Sequence, residues 1–134
     1  MEVKLLRYDL IKTILDKSNS SPIVSNLGPT SDELWQATNE LELHPRNRNF
    51  YTYGSMGLCS SIALGIAINT SEKVISIDGD GSLLMNLGTL STIGRVSPVN
   101  LIIIVCDNEM WAQTGHQPTA TAFNTELEKV AKSC

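Results

Sequence analysis

The sequence predicts an α/β fold, a doubly wound and mostly parallel sheet with helices on both faces. Short apolar runs of strand length alternate with longer helical patterns along the whole chain. One of these runs, Leu101–Cys106, is apolar throughout, which is typical of a strand in a parallel sheet covered on both faces. In the stretch KVISIDGDGSLLMN, residues 73–86, two acidic residues and two glycines stand between a strand and a helix.

The elements before residue 42 are predicted from spacing and from turn residues. Residues 4–17 carry the apolar spacing of one helical face, and residues 22–28, PIVSNLG, form a short strand. A second helix follows Pro29, with Thr30 or Ser31 as its candidate cap.

The later elements continue the alternation. Aromatic and β-branched residues indicate a strand over 49–53, and Gly54 ends it. Small residues in the apolar helix over 56–69 allow it to lie close to a sheet or another helix. The remaining elements are a strand over 74–78, a helix over 83–96, the strand Leu101–Cys106, a polar loop and a helix over 125–132.

Composition excludes several classes of protein. The 134 residues, 42% of them hydrophobic, suit one globular domain with a modest core. The net charge is −4 and basic residues form no block, so no nucleic-acid surface is expected. No apolar run has membrane-spanning length, and the N-terminus lacks a signal-peptide core. Cys59, Cys106 and Cys134 lack metal-ligand spacing and are interpreted as reduced thiols of a cytosolic protein, with Cys59 and Cys106 in the core.

Three of the predicted strands end in polar or glycine-rich tips. These tips are Tyr53-Gly54-Ser55-Met56, Asp78-Gly79-Asp80-Gly81-Ser82 and Cys106-Asp107-Asn108-Glu109. In doubly wound sheets, ligands bind beyond the carboxyl ends of the strands. Gly79 and Gly81 permit a sharp turn and the close approach of a ligand. Ser82 is a candidate N-cap, and free amides at a helix start attract phosphate.

An aspartate beside a phosphate site requires a cation, because two negative groups repel each other. Asp80 is therefore a candidate Mg²⁺ ligand that bridges to phosphate. Asn108, on the neighbouring tip, offers a second hard oxygen. Mg²⁺ binds six oxygens and usually takes few of them from protein.

The paired tips carry a resemblance to a known family. Gly79-Asp80-Gly81, followed after a helix and a strand by Asp107-Asn108, resembles the magnesium–diphosphate motif of thiamine-diphosphate-dependent enzymes. Twenty-seven residues separate Asp80 from Asn108, which fits that motif. The resemblance implies that Asp80, Asn108 and the backbone carbonyl of Met110 bind Mg²⁺, with Trp111 covering the site. Asp107 departs from the asparagine that many members have there.

The segment YGSMGLCSSIALGIA is similar to a second feature of that family. It implies that Met56 supports the bent cofactor from beneath and that its amide donates to the pyrimidine ring. Gly54 then supplies a carbonyl to the 4′-amino group. The cofactor-binding residues implied in this way are Gly54, Ser55, Met56, Gly79, Asp80, Gly81, Ser82, Asn108, Met110 and Trp111.

Within the superfamily, the chain resembles sulfopyruvate decarboxylase β subunits and phosphonopyruvate decarboxylases. The strings LGPTSDELW, YGSMGLCSSIALGIAIN, GDGSLLMNLGTLSTIG, DNEMW and TGHQPT carry this resemblance, from about residue 27 to residue 119. It implies removal of CO₂ from 3-sulfopyruvate to give sulfoacetaldehyde, a step towards coenzyme M.

The resemblance also implies a partner chain. Thiamine enzymes use a glutamate that hydrogen-bonds the pyrimidine ring, and it comes from a separate pyrimidine-binding domain. The sequence contains no such domain, so we expect an α-type partner subunit to supply the glutamate at a subunit interface. Family members continue beyond KVAKSC, so we expect residues 1–134 to be a single diphosphate-side domain shortened at its C-terminus.

Several residues have a second interpretation. Asp80 is a candidate turn residue that caps a helix, Asn108 a candidate left-handed turn residue, and Met56 a candidate core residue. His116 is a candidate acid, base or substrate contact, and a loop histidine is the alternative. Asp107 is a candidate for orienting its loop. Gln117 and Thr119 are candidates for lining the pocket, and His44 with Arg46 and Arg48 for meeting an anion or forming a solvated loop.

Three alternative functions remain open on the sequence. The first keeps the cofactor and changes the substrate, as in a phosphonopyruvate decarboxylase or an acetolactate-synthase-like carboligase. The second is a non-catalytic phosphate-binding α/β module. The third is a structural remnant that binds no cofactor.

Overall fold

The computed structural model describes residues 6–41 and 45–134. Its helices are α1 (Arg7–Lys17), α2 (Pro29–Leu41), α3 (Cys59–Ala67), α4 (Asp80–Met85), α5 (Gly88–Val96) and α6 (Leu127–Lys132). Its strands are β1 (Ile23–Ser25), β2 (Asn49–Tyr51), β3 (Val74–Gly79), β4 (Leu101–Cys106), β5 (Met110–Trp111) and β6 (Gln117–Pro118). Within these residues, every helix is too short or too polar to cross a lipid bilayer.

Four of the strands form one parallel sheet in the order β2-β1-β3-β4. Helices α1 and α2 cover one face, where Ile11 and Leu34 pack with Ile77 of β3. Helix α3 covers the other face, where Cys59 packs with Val24 of β1. Successive side chains of β1 and β3 point to opposite faces of the sheet, so both strands contribute residues to both cores. The predicted α/β fold with helices on both faces is confirmed.

The order of the strands places a switch point between β1 and β3. The chain leaves β1 toward β2 on one side of the sheet, and it leaves β3 toward β4 on the other side. A crevice for ligands opens at such a point, beyond the carboxyl ends of the two strands. The tips that border it are residues 26–28 after β1 and residues 79–81 at the end of β3.

Helix α2 begins at Pro29, so Thr30 and Ser31 lie inside the helix and the predicted cap is corrected. Proline suits the first helical position because the N–H that it lacks would have no helical partner there. Gly28 has a φ of +71°, which turns the chain into the helix. The Ser31 hydroxyl instead donates to the Asn26 carbonyl oxygen at 2.7 Å, which fixes the tip of β1.

The single helix predicted over 83–96 is in fact two helices, α4 and α5. Asn86 separates them, with non-helical φ and ψ of −132° and 49°. Its side-chain amide donates to the Gly57 carbonyl oxygen at 2.9 Å. This bond holds the end of α4 against the turn before α3, a tertiary contact that helical spacing does not reveal.

Strand β4 is only partly covered, with Ile104 and Cys106 packed on the side of α1 and α2 and Leu101 packed on the side of α3. β4 lies at the edge of the sheet, Ile102 is 42% exposed, and the other residues of the strand are half-buried. Composition does not distinguish a central strand from an edge strand, because the difference depends on how many strands pair. Cys106 at its end is likewise half-buried, whereas Cys59 is fully buried as predicted, and all three cysteines are free thiols.

The polar loop after β4 contains an antiparallel hairpin that the sequence did not predict. Its strands β5 and β6 pair Met110 with Pro118 and Trp111 with Gln117. Beyond the hairpin, the Thr119 N–H donates to the Glu109 carbonyl oxygen at 2.9 Å. The hairpin therefore returns the chain to the end of β3, where the predicted site residues lie.

Candidate metal and diphosphate site

Asp80 is the buried centre of the site. It starts α4 at the tip of β3, and only 2% of its surface is exposed. Its Oδ2 accepts a hydrogen bond from the Thr119 hydroxyl at 2.6 Å, and the Thr121 hydroxyl oxygen lies 3.3 Å from the same atom. No lysine or arginine of the described residues pairs with it. A buried carboxylate without a cation is costly, so this arrangement favours a bound cation.

The second carboxylate oxygen of Asp80 lies beside the Asn108 side chain. Asn108 Oδ1 lies 3.1 Å from Asp80 Oδ1 and 2.8 Å from the Met110 carbonyl oxygen. Rotating the amide would place its nitrogen there as a donor to both acceptors. Oxygens at neighbouring positions of an octahedral Mg²⁺, with bonds of about 2.1 Å, lie about 3.0 Å apart. Asn108 Oδ1 therefore lies at about this separation from both the Asp80 carboxylate and the Met110 carbonyl oxygen.

This donor set differs from an ordinary carboxylate cluster. Within the described residues, no group of three or more His, Cys, Asp and Glu side chains could hold a metal. The site instead combines one carboxylate, one amide and one backbone carbonyl. A hard cation that keeps other ligands from water and phosphate suits such a set.

The glycines on either side of Asp80 are packed against other side chains. A Cβ at Gly81 would lie 2.4 Å from Nε1 of Trp111, so the indole packs directly on the glycine. A Cβ at Gly79 would lie 2.9 Å from Nδ2 of Asn26 at the tip of β1. Side chains from two neighbouring tips therefore cover the Gly79–Gly81 turn, and only glycine permits their close approach.

The Gly54–Met56 segment lies between β2 and α3. Gly54 and Gly57 have φ values of +75° and +84°, a region that favours glycine. Met56 is half-buried. The Gly54 carbonyl oxygen and the Met56 N–H have no hydrogen-bond partner among the described residues. Both groups are available to a ligand.

Ser82 has a different role from the one predicted. It is the third residue of α4, and Gly79 is the residue that precedes the helix, so Ser82 is not the N-cap. Its hydroxyl oxygen accepts a hydrogen bond from the Gly57 N–H at 3.0 Å. Ser82 thereby joins the Gly79–Gly81 turn to the Gly54–Met56 segment.

A buried polar network supports the Gly79–Gly81 turn from below. Asp78 is 1% exposed and accepts hydrogen bonds from the Ser60 hydroxyl at 2.8 Å and the Gly79 N–H at 2.9 Å. Cys59 lies beside it, with its thiol 3.2 Å from the Ser76 hydroxyl. Burial, aided by the negative charge of Asp78, raises the pKa of Cys59 to about 12. The thiol is therefore a neutral packing group.

The remaining candidates have contacts within their own loop or are exposed. Asp107 Oδ1 accepts from the Glu109 N–H at 3.0 Å and the Thr121 hydroxyl at 2.8 Å, so it orients its loop. His116 is exposed, with a φ of +57°, and Gln117 is exposed and accepts from the Thr114 hydroxyl at 3.0 Å.

The Arg48 guanidinium pairs with Glu72 and donates to the Ser20 carbonyl oxygen at 3.0 Å. The prediction for His44 lies outside the described residues.

Sequence reasoning missed three features beside the site. Asn26 has a buried Oδ1 without a partner among the described residues, and it follows β1 at the switch point. Thr121 carries no motif that marks it. A groove of about 570 Å³ lies beside Gly54, lined by Asp32, Trp35, Gln36 and Tyr53. Helical spacing places Trp35 on an exposed face of α2, but only the fold brings Tyr53 beside it.

The fold and this site define a class of protein. Residues 32–133 match the family model described as thiamine pyrophosphate enzyme, C-terminal TPP binding domain. The chain belongs to this family. The matched residues include the tips of β2, β3 and β4 that build the site.

The names of individual relatives are more specific than the description of the family. The chain is 51% identical over 129 residues to the sulfopyruvate decarboxylase subunit beta of Methanocaldococcus jannaschii, covering 96% of this chain and 65% of the relative. It is 42% identical over 130 residues to a sulfopyruvate decarboxylase of Methanosarcina acetivorans, covering 97% and 32%. It is 36% identical over 125 residues to a phosphonopyruvate decarboxylase of Streptomyces viridochromogenes, covering 93% and 30%. The chain thus spans about two thirds of the M. jannaschii relative.

Proposed function

We propose that this chain is the diphosphate- and Mg²⁺-binding β subunit of a cytoplasmic, heteromeric 2-oxoacid decarboxylase that uses thiamine diphosphate. The observation that carries the proposal is the position of Asn108 Oδ1, 3.1 Å from Asp80 Oδ1 and 2.8 Å from the Met110 carbonyl oxygen. The family and the names of the relatives support the same function. When bound, thiamine diphosphate supplies the electron sink for loss of CO₂ from a 2-oxoacid.

In this proposal, the ends of β3 and β4 hold the diphosphate. Asp80, Asn108 and the Met110 carbonyl bind Mg²⁺, and diphosphate and water take its other positions. Gly79 and Gly81 allow Asn26 and Trp111 to pack against the turn beside which the diphosphate would lie. Trp111 packs on Gly81 and shields this side of the site from water.

The Gly54–Met56 segment binds the pyrimidine half of the cofactor. The Gly54 carbonyl would accept from the 4′-amino group, and the Met56 N–H would donate to the ring. Hydrogen bonds of 3.1 Å from Ser55 N–H to Thr52 and from Leu58 N–H to Ser55 stiffen this turn. The Met56 side chain supports the cofactor from beneath, where a change of shape alters geometry more than affinity.

A partner subunit supplies the glutamate that bonds the pyrimidine ring. Five of the six described glutamates pair with a charged or phenolic group, and the sixth, Glu109, is exposed on the loop after β4; the five are Glu33, Glu40, Glu72, Glu126 and Glu128. The M. acetivorans relative is about three times as long as the matched segment, which suits a chain that carries both halves. Trp35 and Tyr53 expose aromatic surface beside Gly54, and aromatic residues are enriched in protein interfaces.

The substrate in this proposal is 3-sulfopyruvate, which gives sulfoacetaldehyde and CO₂ on the way to coenzyme M. The test is CO₂ release by the reconstituted pair of subunits from 3-sulfopyruvate, phosphonopyruvate and pyruvate. We expect 3-sulfopyruvate to have the highest kcat/KM. Decarboxylation by this chain alone would contradict the shared site.

Phosphonopyruvate decarboxylase is the second candidate, favoured by the S. viridochromogenes relative. It predicts that phosphonopyruvate is the better substrate in the same assay. A carboligase would form acetolactate from pyruvate. A phosphate-binding module would bind diphosphate compounds without preferring thiamine diphosphate, even with the partner present.

A further inference from the structure

The two oxygens of the Asp80 carboxylate have different neighbours. Oδ1 faces Asn108 Oδ1 at 3.1 Å, on the side where the Mg²⁺ ligands converge. Oδ2 points away from them and accepts the Thr119 hydroxyl at 2.6 Å. A carboxylate can rotate about its last bond unless one oxygen is held. The hydrogen bond to Oδ2 therefore decides where Oδ1 points.

Thr119 is well placed to hold that oxygen. It is fully buried, at 0% exposure, so water does not compete for its hydroxyl. Its backbone is fixed as well, because its N–H donates to the Glu109 carbonyl oxygen at 2.9 Å. The sequence makes Thr119 a candidate for lining the pocket, and in the structure its hydroxyl contacts the Asp80 carboxylate.

Thr121 extends this contact to the second loop. Its hydroxyl lies 2.9 Å from that of Thr119, 3.3 Å from Asp80 Oδ2 and 2.8 Å from Asp107 Oδ1. Asp107 immediately precedes Asn108, so the two threonines connect the loops that carry the two side-chain ligands. Hydroxyls suit this place because each one both donates and accepts.

We infer that Thr119 is a positioning residue for Asp80, and that Thr121 couples this carboxylate to the Asn108 loop. Thr119 holds Oδ2 so that Oδ1 is directed at Mg²⁺ before the ion binds. Groups that orient a metal ligand typically change metal affinity by about 10- to 100-fold when they are removed. This inference rests on the proposed function, because it concerns the same Mg²⁺ site.

The test is calorimetric titration of Mg²⁺ into the full chain with saturating thiamine diphosphate, with the partner subunit present and absent. Thr119→Val removes the hydroxyl and keeps the shape, and we expect it to weaken Mg²⁺ binding about 10- to 100-fold. Thr119→Ser, the matched control, keeps the hydroxyl and restores affinity to within about threefold of the wild type. Thermal unfolding without Mg²⁺ is recorded for each variant.

A purely structural hydroxyl would lower the unfolding temperature and leave the Mg²⁺ affinity of the folded protein unchanged, and that result would overturn the inference. If Thr119→Val does not fold, the same titration is made with Thr121→Val, because Thr121 is only half-buried. Weaker Mg²⁺ binding by this variant supports the coupling, and wild-type Mg²⁺ affinity rejects it. Wild-type protein that binds no Mg²⁺ with thiamine diphosphate, even with the partner subunit present, rejects the proposed function and this inference together. Wild-type binding that Thr119→Val leaves intact rejects the inference alone.

Discussion

The two loops that supply the metal ligands differ in how they are built. The loop after β3 is part of the core: Asp80 is buried, Asp78 beneath it is 1% exposed, and Ser82 is bonded to the Gly57 backbone. The loop after β4 is at the surface: Asp107, Asn108, Glu109 and Met110 are all exposed. One half of the site is therefore fixed by folding, and the other half is held by a few hydrogen bonds.

This difference separates effects on stability from effects on binding. A change in the buried loop disturbs groups that the fold has already removed from water, so it costs stability as well as affinity. A change in the exposed loop alters the ligand set while the core stays intact. Variants of the two loops should therefore differ in unfolding temperature even where they bind Mg²⁺ equally poorly.

The largest effect is expected for Asp80→Ala. Loss of the carboxylate removes the charged ligand, and we expect Mg²⁺-dependent binding of thiamine diphosphate to disappear in calorimetry. The fold should persist in circular dichroism, although the Thr119 hydroxyl loses its acceptor at a cost of about 1–3 kcal/mol. Asp80→Asn keeps the acceptor and is the matched control for stability. Unchanged cofactor affinity in Asp80→Ala would reject the metal role.

The reactivity of the three cysteine thiols compares buried and exposed parts of the chain without a ligand. Burial raises the pKa of Cys59 from 9.0 to about 12, so its reactive thiolate is about 1000-fold scarcer at pH 8 than for an ordinary thiol. We expect native Cys59 to resist alkylation while the exposed Cys134 reacts, as measured by mass spectrometry over time. Burial also raises the pKa of Cys106, which is half-buried and should react at an intermediate rate.

The sign of the pH effect follows from the raised pKa of Cys59. The folded state binds this proton more tightly than the unfolded state does, so its stabilisation is complete below pH 9 and is lost progressively towards pH 12. Cys59→Ser should therefore flatten the alkaline fall of the unfolding free energy. Rapid alkylation of Cys59 in the native chain would show that the buried loop opens readily.

Asn108→Ala tests the exposed loop. We expect Mg²⁺ affinity to fall by about 10- to 100-fold, because one neutral ligand is lost and water can replace it. The unfolding temperature should change little, since the side chain is exposed. Asn108→Asp restores an oxygen ligand and serves as the control. A large loss of stability in Asn108→Ala would contradict the separation between the loops.

Met56→Ala is expected to act on turnover. It should lower kcat of the reconstituted enzyme by about tenfold, with a smaller change in cofactor affinity, because it removes support for cofactor geometry and leaves the diphosphate contacts. Met56→Leu is a control of similar volume. If affinity falls and kcat does not, Met56 is a core residue, as its alternative interpretation holds.

More of the buried loop after β3 than of the exposed loop after β4 could be predicted from the sequence. Gly79, Asp80 and Gly81 form a local motif whose role follows from the strand before it and the helix after it. The bond from Thr119 to Asp80 joins residues 39 apart in the chain and depends on an unpredicted hairpin. Asn86 separates two helices where the sequence predicts one, because its side-chain amide donates to the Gly57 carbonyl oxygen, 29 residues away. Spacing reveals local structure, whereas these contacts arise only from the fold.

The smallest effect is expected for His116→Gly. His116 is exposed in the hairpin turn and has a φ of +57°, a conformation that glycine adopts without strain. Its backbone N–H donates to the Trp111 carbonyl oxygen at 3.1 Å, and glycine keeps that bond. We expect kcat, KM and Mg²⁺ affinity within about twofold of the wild type, and an unfolding free energy changed by less than about 1 kcal/mol. A loss of kcat of tenfold or more would instead assign His116 a role as acid or base. His116→Ala separates the two causes, because it removes the imidazole and keeps the backbone strain.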